Sequence, residues 1–180
     1  MRFTTVALAT FLLLAAGGDP ARIESLRAQQ DGRRILLSFE LQNAFDEEMR
    51  ERLESGLPTE LEYTLQIQRP RLWWFDKIFD RTTLQIVALY NAVTREYLVN
   101  TKLNGGLIDS RVVTGLDELE RTMTTVRQLP AFELEEEIHP RTQLMVRGEL
   151  GSKHFLLLFP NRITTNWARM RIRDVESVSP

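Results

Sequence analysis

The chain has 180 residues, enough for one domain with a sizeable core and too few to expect two. A formal net charge of -2 gives no electrostatic bias toward nucleic acid or an anionic membrane, so neither is an expected partner. Cysteine is absent, which excludes disulfides, thiolate chemistry and a lipid-modified cysteine at an export junction.

The first 18 residues differ from the rest. Arg2 supplies one positive charge, residues 6–16 are apolar apart from Thr10, and Ala15-Ala16-Gly17-Gly18 are small. That order matches a secretory signal peptide over residues 1–18, cleaved after Gly17 or Gly18; the alternative is an uncleaved anchor. The apolar run is shorter than the ~20 residues a spanning helix needs. Removing it takes away only Arg2, leaving a slightly more acidic chain. The expectation is a periplasmic protein, not integral to the membrane after cleavage, with one β-rich domain over residues 21–176.

Residues 21–30 are expected to form a first strand through Ile23 and Leu26, and Asp31-Gly32 is a hairpin signal. In residues 33–41, Ile35, Leu37, Phe39 and Leu41 share one parity, the period-2 pattern of a half-buried strand. Asn43 is the expected cap of a helix with Asp46 in its first turn, where the helix dipole favours an acid. Phe45, Met49 and Leu53 recur every fourth residue, and Gly56 and Pro58 stop the helix.

The next strand sets Leu61, Tyr63, Leu65 and Ile67 against Glu60, Glu62, Thr64, Gln66 and Gln68, giving one apolar and one wet face. Pro70 interrupts it. The segment that follows sets Trp73, Trp74 and Phe75 among Arg69, Arg71 and Asp76. Two readings stay open: rings closing one end of the core with an arginine stacked on them, or a recognition patch of the residue types that dominate binding interfaces.

Residues 82–90 read as a strand apolar on both sides, hence central, followed by a turn at 91–94 and a return strand at 95–103 with Tyr97, Val99 and Leu103 inward. Asn104-Gly105-Gly106 is a turn, and residues 107–113 form a short strand. Thr114-Gly115-Leu116-Asp117 resembles a capping box. It opens a helix through Leu116, Leu119, Met123 and Val126 that is expected to end near Leu129-Pro130. Strands are predicted at 132–138, 142–150 and 167–175, with 155–159 a compact apolar run and 176–180 frayed. The sum is a mainly β (α+β) fold: an antiparallel, sandwich-like arrangement of about eight or nine strands with two short amphipathic helices.

Catalytic patterns are weak. Glu133, Glu135, Glu137 and His139 share a parity and form a candidate cation face, but the same acids also suit a solvated strand that resists edge pairing. Ser152 lies two residues before His154, which is not triad geometry, and no G-x-S-x-G or phosphate loop occurs. No cofactor, metal or catalytic residue is therefore expected. Arg169, Arg171 and Arg173 share a parity with Trp167 and form a cationic strip, expected to face the chain's own Glu-rich strand; the alternative is an anionic envelope component or a partner's acidic surface.

Four motifs carry a family resemblance: Phe39-Glu40-Leu41; Leu53, Gly56, Leu57 and Pro58; Arg69, Arg71, Trp73, Trp74 and Asp76; and Leu89, Tyr90, Asn91, Thr94 and Tyr97. With them the chain resembles the bacterial envelope family known as domain of unknown function 4390, over roughly residues 23–167. Arg147-Gly148-Glu149-Leu150 departs from the family's leucine-aspartate continuation. The resemblance implies an exported protein of bacteria with a two-membrane envelope. It carries no established activity, and members encoded near envelope sensor kinases imply a sensing or accessory role. Tyr90, Asn91, Thr94 and Tyr97 are motif residues with a structural explanation open to them.

The leading expectation is a non-enzymatic domain binding a protein partner in the envelope, through Arg69, Arg71, Trp73, Trp74 and Asp76. The alternative is a small-ligand or lipid carrier with a pocket lined by Tyr63, Tyr90 and Tyr97.

Overall fold

The computed structural model describes residues 19–70, 77–134, 141–150 and 163–177. In chain order its elements are β1 (Arg22–Asp31), β2 (Arg34–Gln42), α1 (Glu47–Glu54), β3 (Thr59–Arg69), β4 (Lys77–Asn91), β5 (Glu96–Leu103) and β6 (Gly106–Val113). Then come α2 (Leu116–Thr124), β7 (Thr125–Glu133), β8 (Gln143–Leu150), β9 (Ile163–Thr164), β10 (Ala168–Arg171), a 3-10 turn (Ile172–Asp174) and β11 (Glu176–Ser177). Two sheets result. One has the order β11-β1-β2-β7; the other runs β10-β8-β3-β4-β5-β6, with β9 on the far end of β8. All described pairings are antiparallel except the short β1–β11 contact.

The alternating strands make the core. Ile35, Leu37, Phe39 and Leu41 of β2 are buried, as are Leu61, Tyr63, Leu65 and Ile67 of β3. Phe39 and Tyr63 meet edge to face with ring centroids 5.1 Å apart, a favourable aromatic geometry that joins the sheets. Thr82 Oγ1 adds a 2.8 Å hydrogen bond to the Ala131 carbonyl, from β4 to β7. This is the sandwich-like, mainly β architecture the alternation predicts.

Several local readings change. The cap of α1 is Asp46, whose carboxylate accepts the Met49 N–H at 2.8 Å; Asn43 sits three residues earlier with φ +58°. The helix ends in a Schellman motif: Gly56, at φ +78°, donates to Leu53 O and Leu57 N–H donates to Arg52 O. Helix α2 stops at Thr124, well short of Leu129-Pro130, and β7 starts at once. Its N-cap is Gly115, and Glu118 rather than Asp117 reaches back, accepting the Thr114 N–H at 3.1 Å. The run Thr124-Thr125-Val126 is β-branched, which favours strand over helix. Pro130 then lies in β7, an edge strand, where its missing N–H is tolerated.

A bulge between Glu24 and Arg27, with Ser25 at φ +54°, puts Ile23 and Leu26 on the core side although they are three positions apart. The predicted strand at 167–175 is β10 followed by the 3-10 turn, and Glu176–Ser177, expected to fray, is β11, paired in the other sheet. The wet face of β3 is only part wet: Gln66 and Gln68 are buried. With its amide oriented to suit its neighbours, Gln66 accepts from Arg81 Nη2 and Nε at 2.9 and 3.0 Å. The run at residues 155–159, His139 and His154 lie outside the described residues.

Candidate partner-binding site

Strand β3 pairs with β4 along its whole length, and the two end together at Arg69 opposite Lys77. The register slips between Ile67, which pairs with Asp80, and Gln68, which pairs with Ile78, so Phe79 is the extra residue of a bulge. Bulges re-aim side chains, and this one leaves Phe79 and Ile78 each 43% exposed. The Arg69 guanidinium carbon stands 5.0 Å from the Phe79 ring centroid, and Lys77 Nζ stands 4.8 Å from it. Both lie inside the ~6 Å range of cation–π attraction. Arg69 Nε is buried with no hydrogen-bond partner among the described residues, so the ring is its described contact. An accessible aromatic under two cations, beside a second exposed apolar side chain, frames the segment between β3 and β4.

Of the residues singled out from sequence, Arg69 is placed at this site. Arg71, Trp73, Trp74 and Asp76 lie outside the described residues. Lys77, Ile78 and Phe79 went unnoticed in the sequence, although they directly follow the Arg-Trp-Trp segment; the bulge that selects Phe79 is a property of cross-strand register.

The other motif residues lie at the opposite end of β4, about 45 Å away at ~3.3 Å per residue. There they close a hairpin. Asn91 Oδ1 accepts the N–H groups of Val93 and Thr94 at 3.0 and 3.4 Å, and its carbonyl accepts the Arg95 N–H at 2.7 Å. Tyr90 and Tyr97 face each other across the strands with ring centroids 4.9 Å apart. Burial, with Tyr90 and Glu54 nearby, raises the Tyr97 hydroxyl above its usual pKa. Tyr63 is elsewhere, fully buried at the centre of the core. The three tyrosines therefore do not line one pocket.

A cleft of about 550 Å³ lies where β4, β5 and β6 meet α2 and β7. Leu84, Ile86, Val126 and Leu129 contribute apolar walls, and Arg111, Arg121, Arg127, Asp109 and Glu118 contribute charge.

The cationic strip is not arranged as expected. Arg169 and Arg171 lie on β10 beside β8, opposite Met145 and Gln143, while Arg173 falls in the 3-10 turn and Glu133 is in the other sheet. Trp167 instead receives Arg147, whose guanidinium carbon is 4.8 Å from the ring centroid and whose Nη2 bonds Glu149 at 2.9 Å. Glu133, the one described member of the acidic face, is exposed. Among the described residues no three metal-ligating side chains gather.

Fold and site together define a two-sheet antiparallel β domain whose longest hairpin carries an exposed aromatic and cationic end. Residues 18–157 match the family described as Domain of unknown function (DUF4390), and the chain belongs to it. No curated protein and no solved structure matches the chain.

Proposed function

We propose that the chain is exported by its N-terminal signal peptide and acts in the periplasm as a non-enzymatic β-rich domain that binds a protein partner of the cell envelope. The observation that carries this reading is Phe79, exposed on a bulge beneath Arg69 and Lys77 at the root of the Arg71, Trp73, Trp74 and Asp76 segment. Interface hot spots favour such residue types, because large rings and arginine desolvate well and combine apolar contact with directed hydrogen bonds. The non-enzymatic part draws support from how the buried hydroxyls are used: those of Tyr63, Thr82 and Thr165 are engaged in hydrogen bonds within the fold. A role beside a membrane sensor or regulator fits this surface. Fractionation that leaves the chain unprocessed in the cytoplasm contradicts the export step. Partner capture unchanged by Trp73→Ala and Phe79→Ala contradicts the site.

The cleft between β4–β6 and α2–β7 favours a second reading, a carrier of a small ligand or lipid, since its size falls in the range of ligand sites and its walls mix apolar and charged side chains. Native mass spectrometry of protein taken from its own envelope separates the two. A retained ligand mass identifies a carrier, and a bare chain rejects that role.

A further inference from the structure

Two bulges meet across β2. On the β1 side Ser25 and Leu26 together oppose Phe39, and on the β7 side Arg127 and Gln128 together oppose Ser38. Each bulge holds a residue in the left-handed region, Ser25 at φ +54° and Gln128 at φ +47°. Among the described residues these two alone combine a side chain, a positive φ and a place inside a strand; Asn43, Arg95 and Asn104 lie between strands. Such a backbone is strained for any residue but glycine, and strained positions and bulges gather at ligand sites. Here they open a pit of about 320 Å³ in the four-stranded sheet, with Phe39 and Val126 in its lining.

The polar lining is cationic. Val126 and Leu129 are buried on the core side, so the extra residue between them leaves both Arg127 and Gln128 exposed. Arg27 pairs with Ser38 in the β1–β2 ladder, so Arg27 and Arg127 flank one serine from opposite sides. Their strands are two spacings apart, ~9.6 Å between backbones, a gap that two arginine side chains span to reach a shared anion. Among the described residues neither arginine makes an ion pair. Ser38 Oγ accepts the Gln128 N–H at 2.9 Å, which holds the bulge and leaves the serine O–H to donate into the pit. Glu40 is the one carboxylate in the lining and accepts from Gln42 Nε2 at 3.3 Å.

We propose that this pit binds a small phosphate ester bearing free hydroxyl groups. Two guanidinium forks and a hydroxyl donor match the oxygens of one phosphate, which sits between Arg27 and Arg127. Glu40 only accepts, so it repels a second anionic group and takes a ligand hydroxyl instead. The volume is at the lower end for ligand sites, which favours a ligand the size of glycerol phosphate. That chemistry occurs in the free ester and in a phosphoglycerol lipid headgroup. The pit is in the other sheet from Phe79 and stands whether or not that end binds a partner. Arg127 also lines the larger cleft beside α2, whereas Arg27 does not.

Glycerol phosphate titrated into the isotope-labelled protein is expected to shift the amide resonances around Arg27, Ser38 and Gln128, and neutral glycerol to leave them in place. Arg27→Ala, at an exposed position, is expected to weaken binding about tenfold or more without moving the denaturation midpoint. Arg121→Ala, in the larger cleft, is expected to leave binding unchanged. Cosedimentation with phosphatidylglycerol vesicles but not phosphatidylcholine vesicles, lost on Arg27→Ala, identifies the source as a lipid headgroup. Binding of the free ester without the vesicles identifies a soluble one. A protein that binds neither probe overturns the proposal. So does binding that Arg121→Ala weakens and Arg27→Ala does not.

Discussion

The Tyr63 hydroxyl donates a 3.0 Å hydrogen bond to the backbone carbonyl of Met123, 60 residues further along the chain. Met123 lies in the last turn of α2, where carbonyls lack intrahelical donors, so the bond satisfies an orphan group as the helix gives way to β7. Tyr63→Phe leaves that carbonyl unpaired in the core and is expected to cost about 1–3 kcal/mol by urea denaturation at neutral pH.

The same burial gives a pH dependence. Desolvation holds the Tyr63 hydroxyl well above its ordinary pKa of about 10, so the folded chain keeps this proton where the unfolded chain has lost it. The folded state binds more protons, and stability therefore falls as pH rises. The contribution is whole below about pH 10 and declines above it, by up to about 1.4 kcal/mol per pH unit. Denaturation curves between pH 8 and roughly 11 are expected to show the decline in the wild type and a shallower one in Tyr63→Phe. Equal slopes contradict this assignment.

The cap of α1 separates two neighbouring polar residues. Asp46→Ala removes the acceptor of the Met49 N–H and is expected to lower stability by about 1 kcal/mol in chemical denaturation.

The sheet-to-sheet contact is expected to dominate stability. Phe39→Ala empties the space against Tyr63 and is expected to cost about 3–5 kcal/mol. Phe79→Ala, at a half-exposed bulge, is expected to shift the same denaturation midpoint far less, since surface changes usually stay near ~0.5 kcal/mol. A large loss from Phe79→Ala makes the ring a structural element first.

Much of the fold was legible wherever side-chain period and backbone agreed. Strand β2 alternates throughout, and in β3 the apolar set that the pattern names is buried, with Gln66 and Gln68 buried beside it near the strand's end. What stayed hidden depends on partners distant in sequence. Met123 and Val126 keep helical spacing across a boundary that the β-branched residues between them and pairing with β2 decide. Residues 167–175 read as one strand and 176–180 as a frayed end, but β10 stops at Arg171 beside β8 and β11 pairs with β1 in the other sheet. At the candidate site, the arginine and tryptophan run was visible as composition. Phe79 was not, because its exposure follows from a bulge fixed by register with Ile67 and Gln68.

The most direct test of partner binding is a photo-crosslinking residue placed at position 79 in the native envelope, with position 93 as control. The expected result is one reproducible envelope protein captured from position 79, absent from position 93 and lost on Trp73→Ala in a still-folded chain. Equal capture from both positions, or none from position 79 in a folded, exported protein, contradicts the site.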